Sequence, residues 1–223
     1  MKGPRVVFDT SALLDLFGKW SDDHKKRRGD LVGEVSLLGP LKPFLYSSKA
    51  IREEIREHMV IGGELDKYII FEDVEESEMK AIPGYLSSRD ADFSLTTLCS
   101  RFEKAGFQTF LITKDRTFLS DLPRAGCMAP IVPPTGFAEA LTVLAPRKGP
   151  ITNMAHTVQN NAFLNLSRAM RLVRQEQGEK SYQDWQEFLN SRTAAKHDFI
   201  EALRGTNITW SGSSLQGYRI RAE

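Results

Sequence analysis

Apolar positions along the chain follow two rhythms. Short solid runs, Val6-Val7-Phe8, Phe44-Leu45-Tyr46, Tyr68-Ile69-Ile70-Phe71 and Thr109-Phe110-Leu111-Ile112-Thr113, alternate with stretches in which apolar residues recur every three or four positions. The first rhythm predicts short strands buried on both faces, and the second predicts amphipathic helices. One helix is expected over Ser11–Phe17, with Thr10 or Ser11 as its N-cap. A second stripe, Leu31, Val32, Val35, Leu37 and Leu38, stops at Gly39-Pro40. Ser47 or Ser48 caps a third helix through Ile51, Ile55 and Met59, and the acids from Glu72 to Glu78 read as a solvated helix or loop. Phe93, Leu95, Leu98 and Phe102 mark a helix ending before Gly106, and Phe118–Leu122 a short one. Met128–Val132 resembles an edge strand bounded by Pro133-Pro134, with one more helix over Phe137–Leu144. Strands that alternate with helices imply a parallel sheet in an α/β fold.

The rhythm breaks at Ala145–Pro150, where two prolines, a glycine and two basic residues mark a boundary. Residues 1–146 therefore read as one domain and 151–223 as a helical extension. In the extension, Ala155, Val158, Ala162, Phe163, Leu166, Met170 and Val173 form one amphipathic stripe. Trp185, Phe188, Leu189, Phe199 and Leu203 form a second on a helix opened by Ser181, and Asn207–Arg221 can close as a β-hairpin.

Composition narrows the classes. The chain has 223 residues, is 41% apolar and carries a formal charge of +1, which gives no overall bias toward nucleic acid or acidic membranes. No stretch approaches the about 20 apolar residues that cross a bilayer, and the N-terminal residues lack the apolar core of a signal peptide. Cys99 and Cys127 have no metal-site spacing, so free thiols and a cytoplasmic location are expected. His24, His58, His156 and His197 are scattered without zinc-hydrolase spacing, and neither a phosphate-cradling glycine loop nor a Gly-x-Ser-x-Gly elbow occurs.

Acids lie where strands would hand over to helices: Asp9 after Val6-Val7-Phe8, Glu53-Glu54 early in the third helix, Asp90 and Asp92 before Phe93, and Asp115 just past the clearest strand. In an open parallel sheet the carboxyl ends of strands converge on one crevice. Carboxylates brought together there repel one another unless a divalent cation lies between them, and Mg²⁺ or Mn²⁺ takes such oxygen ligands. Each acid also has a plainer role. Asp9 can cap the next helix, Glu53 and Glu54 can be solvated and paired with Lys49 or Arg56, and one of Asp90 and Asp92 can cap the helix after it. Asp73 and Asp121 read as surface residues.

The order of these islands resembles the PIN-domain family of nucleases. Phe8-Asp9-Thr10-Ser11-Ala12-Leu13-Leu14 is similar to its opening strand and turn, and Ala50-Ile51-Arg52-Glu53-Glu54-Ile55 to its second motif, favouring Glu54 over Glu53. Asp90-Ala91-Asp92-Phe93-Ser94-Leu95 resembles the third motif, with Asp92 preferred and Asp90 nearly as good. Leu111-Ile112-Thr113-Lys114-Asp115 resembles the fourth. The resemblance spans about residues 4–145. It implies a three-layer α/β/α fold with a central parallel sheet, and a Mg²⁺- or Mn²⁺-dependent endoribonuclease whose metal is held by Asp9, Glu54, Asp90 or Asp92, and Asp115. RNA processing or a toxin role with an antitoxin partner would follow, and homo-oligomers are common in the family. Residues 59–85 leave no room for the long helical insertion of the branch resembling RNA-free ribonuclease P, and a flap-type DNA nuclease would need further acids and a helical arch. The rival reading is a non-catalytic scaffold that binds RNA or a protein. Lys25-Lys26-Arg27-Arg28 and the helically spaced Arg168, Arg171 and Arg174 are candidate phosphate contacts.

Overall fold

In a computed structural model, the structure describes residues 3–17, 38–59, 62–137, 140 and 198–206. Five strands, β1 (Arg5–Phe8), β2 (Leu45–Ser48), β3 (Ile70–Glu72), β4 (Thr109–Ile112) and β5 (Ile131–Val132), form one wholly parallel sheet in the order β3-β2-β1-β4-β5. The described helices are α1 (Thr10–Phe17), α2 (Lys49–His58), α3 (Gly62–Leu65), α4 (Glu76–Lys80), α5 (Asp90–Lys104) and α6 (Phe118–Arg124). Short 3-10 turns precede β2 and α5. The alternation of strands and helices expected for an α/β protein is present.

The central position of β1 explains its composition. Val6, Val7 and Phe8 are wholly buried, because β2 and β4 flank the strand and helices cover its faces. Val6 and Val7 align with Leu45 and Tyr46 on one side, while Arg5 through Phe8 align with Thr109 through Ile112 on the other. The chain runs outward from β1 to β2 and β3, then crosses to β4 and β5. The reversal opens a crevice at the carboxyl ends of β1 and β4. The amide of Asp9 bonds the Ile112 carbonyl at 3.1 Å, and the amide of Thr113 bonds Val132 at 3.1 Å, so the ladder extends to the crevice floor.

Several expectations need adjustment. Thr10 and Ser11 lie inside α1 and do not cap it. Ser48 caps α2 as anticipated, accepting from the Ile51 amide, while Ser47 sits in β2 and donates to the Phe8 carbonyl at 2.7 Å. Neither Asp90 nor Asp92 caps α5. Arg89 holds the N-cap position and both acids fall in the first turn, where they oppose the positive end of the helix dipole. The edge strand is only Ile131–Val132, and Met128 is 78% exposed. Gly62 is required by a close approach, since a Cβ there would lie 2.5 Å from the Ile55 carbonyl oxygen at the end of α2.

Of the C-terminal region, 198–204 are helical. Phe199, Ile200 and Leu203 are buried in the same core as the sheet. The Phe199 ring lies 5.2 Å from Phe110 and 6.0 Å from Phe137, which in turn stands edge-on to Phe8 at 5.0 Å. Residues 134–137 and 140 are helical, so the helix expected from Phe137 begins earlier. The basic run 25–28, the arginines 168, 171 and 174, most of the stripe over 31–38, the helix over 155–173, residues 181–197 and the hairpin over 207–221 lie outside the described residues. No helix among the described residues is long and apolar enough to cross a membrane.

Candidate functional site: a carboxylate crevice at the switch point

Asp9 follows the last residue of β1 and is 6% exposed. Its backbone carbonyl accepts from the amides of Ala12 and Leu13, starting α1. Its carboxylate does not cap that helix. Oδ2 instead accepts two hydroxyls, from Ser11 in the first turn of α1 and from Thr113 just past β4 at 2.7 Å. Thr113 Oγ1 accepts in turn from the Asp115 amide at 2.9 Å. The first and fourth acidic islands are thus joined through a single hydroxyl. No described residue donates a hydrogen bond to Asp9 Oδ1.

Burial raises the pKa of Asp9, the Ser11 and Thr113 hydroxyls counteract this, and the charges of Asp92 and Asp115 push it up further. Asp92 is raised as well, first by burial, with Arg89 opposing and Asp115 and Asp121 adding to the rise. Three carboxylates from three segments therefore feel one another in one crevice. Asp115 is half-buried, and its Oδ1 accepts from the Thr117 amide at 2.9 Å, tying down the loop after β4.

Glu54 reaches the same region from α2. Thr10 Oγ1 donates to Glu54 Oε2 at 2.7 Å, which links the second island to the residue beside Asp9. Glu53 faces solvent and pairs with Arg56 at 3.8 Å. Asp90 is exposed and accepts from the Tyr85 hydroxyl, whose pKa rises to about 12 chiefly through that bond. Of the two acids in the third island, it is Asp92 that faces Asp9.

Two residues in this neighbourhood escaped the sequence reading. Arg89 Nη2 lies 2.8 Å from Asp92 and 2.6 Å from Asp121, and it also donates to Thr117 at 3.1 Å. Asp121, expected at the surface, is 1% exposed and is held by Arg89 and, at 3.3 Å, by Arg124. A signal was present: Asp121 shares the apolar stripe of α6 with Phe118 and Leu122, and a carboxylate on a buried helix face requires a partner.

The donor chemistry suits a hard divalent cation: carboxylate oxygens, an Asp9 Oδ1 to which no described residue donates, and hydroxyls that fix carboxylate orientation. Among the described residues, however, no three Asp, Glu, His or Cys side chains are drawn together into a ready ligand group. The cation that contacts Asp92 here is the Arg89 guanidinium.

No protein-family description, curated protein or solved structure matches the chain.

Proposed function

We propose that the chain is a PIN-like, Mg²⁺- or Mn²⁺-dependent endoribonuclease that hydrolyses RNA phosphodiester bonds at the crevice, in RNA processing or as a toxin-type ribonuclease. The observation that carries this reading is the burial of Asp9 at the end of the central strand with Asp92 and Asp115 raising its pKa. Negative charge concentrated in a buried place has a cost in the fold, and a cation recovers that cost. Asp9, Asp92 and Asp115 would hold the ion, with Glu54 alongside. When bound, such an ion lowers the pKa of water and neutralises charge on phosphate oxygens.

The chain's own residues supply geometry. Ser11 and Thr113 fix Oδ2 of Asp9 and leave Oδ1 available. Thr10 aims Glu54 toward the crevice, and the Asp115 amide, bonded to Thr113, registers the loop after β4 against β1. Asp92 shares its carboxylate with Arg89, which restrains its position.

One observation favours a non-catalytic RNA- or protein-binding scaffold: Arg89 already neutralises Asp92. Incubation of structured RNA and single-stranded DNA with Mg²⁺, Mn²⁺ or EDTA, with Asp9→Asn run in parallel, separates the two. Cleavage of RNA only with metal, and absent in the variant, supports the nuclease. Binding of RNA in EDTA without cleavage under any condition supports the scaffold.

A further inference from the structure

Away from the crevice, α4, α5 and α6 enclose a half-open cleft of about 350 Å³. Ile82, Pro83 and Ala125 give it apolar walls, and Thr97 and Ser100 line it from α5. Its charged lining is three cations, Arg101, Lys104 and Arg124, against the single acid Glu78. Arg101 is partly committed, donating to the Asp73 carbonyl at 3.0 Å and to Glu78. Among the described residues Arg124 has a long contact with Asp121, at 3.3 Å. Lys104 is exposed and makes no hydrogen bond or ion pair with a described residue. Even with Arg101 paired to Glu78 and Arg124 to Asp121, Lys104 leaves the lining with an excess of positive charge, which an anion offsets.

The cleft lies at the far end of α5 from the crevice. Asp92 stands in the first turn of α5 and Lys104 at its end, twelve residues on, or about 18 Å along the helix axis. The ion pairs Asp92–Arg89, Arg89–Asp121 and Asp121–Arg124 run from the crevice to the cleft wall. A half-open shape admits a chain that enters and leaves.

We propose that this cleft binds a backbone phosphate of the single-stranded RNA whose cleavage at the crevice is proposed above, and so rests on that reading. Arg124 and Lys104 contact the phosphate, and the apolar walls accept the flanking ribose or base. Contacts of this kind fix the register of the strand without reading its sequence.

The test is fluorescence anisotropy of a labelled oligouridylate and a labelled oligoadenylate in EDTA over a salt series, comparing wild type with Lys104→Glu and Lys104→Ala. Inorganic phosphate is titrated calorimetrically into the same proteins. Lys104 is exposed at the end of a helix, and matched melting curves confirm that the variants fold. Lys104→Glu is expected to weaken both oligonucleotides alike by several-fold, and Lys104→Ala to lower the slope of log affinity against log salt by about 1. Wild-type affinity and slope in both variants overturn the cleft assignment while leaving cleavage at the crevice intact. Phosphate binding lost in the variants, with RNA binding unchanged, reassigns the cleft to a free phosphate and overturns the strand. Absence of RNA binding by the wild type overturns this proposal, and metal-dependent cleavage in the separate assay decides whether the nuclease reading falls with it.

Discussion

Arg5 and Asp9 bracket β1, and the fold surrounds their charges in opposite ways. At the entry to the strand, the Arg5 guanidinium lies 3.9 Å from the Phe107 ring centre and 4.7 Å from that of Tyr46, with Phe102 at 5.7 Å. Nη1 donates to the Pro43 carbonyl at 3.3 Å, and the buried Nε finds no partner among the described residues. Aromatic faces attract a cation at low cost, so that end of the sheet is electrostatically quiet. At the exit, Asp9 has two neutral hydroxyl donors and two further carboxylates that repel it. The Asp9 end stores unfavourable charge, and such departures cluster where ligands are handled.

The sharpest way to break the comparison is Asp9→Asn. Cleavage of labelled RNA is expected to fall below detection, while the melting temperature stays equal or rises, since the neutral amide removes a buried charge. The sign of the pH dependence follows. A carboxyl whose pKa is raised in the fold favours the folded state while protonated, below its unfolded value, and loses that contribution as pH rises through the folded value. The gap in Tm between Asp9→Asn and wild type is therefore widest near neutrality and narrows as the pH drops through the raised pKa of Asp9. A gap of constant size across pH 7 to 4, measured by thermal melts, would contradict the burial argument.

Arg89→Gln comes next. It leaves Asp121, 1% exposed, with the long contact to Arg124 and a 3.4 Å hydrogen bond from Ser120 among the described residues, and a loss of about 3 kcal/mol in denaturant midpoint analysis is expected. Thr113→Val follows. The fold keeps its β-branched side chain at that position, but Asp9 loses one of its two donors, and Mg²⁺ affinity or cleavage should fall about 10–100-fold. Retention of both at wild-type level would show that Ser11 alone orients the carboxylate. Arg5→Leu is expected to have the smallest effect, about 1 kcal/mol or less and none on cleavage, because loss of the cation–π contacts is offset by removal of the unpartnered Nε.

The strands and most helices were legible because their signals are local. A wholly apolar tripeptide such as Val6–Phe8 between charged residues reads as a buried strand, and Ser48 before Ile51 and Ile55 carries its own capping chemistry. Helix starts were displaced where side chains that cap well in isolation had been drawn into the crevice: Thr10 donates to Glu54, Ser11 to Asp9, and Asp92 pairs with Arg89. At Thr10 a tertiary hydrogen bond, and at Ser11 and Asp92 a neighbouring side chain, takes the group that would otherwise cap the helix.

By itself the sequence determined the α/β alternation, the buried strands, and the four acidic islands at strand-to-helix junctions, since each rests on residues a few positions apart. Only the tertiary structure decided that β1 lies at the centre with the switch between β1 and β4, which brings Asp9, Asp92 and Asp115 within electrostatic reach. It alone separated Asp92 from Asp90, buried Asp121, and inserted the Arg89 guanidinium among the carboxylates. These outcomes depend on strand order and on the packing of α5 and α6 across the sheet. Coulomb interactions there act over distances in space that sequence separation does not encode.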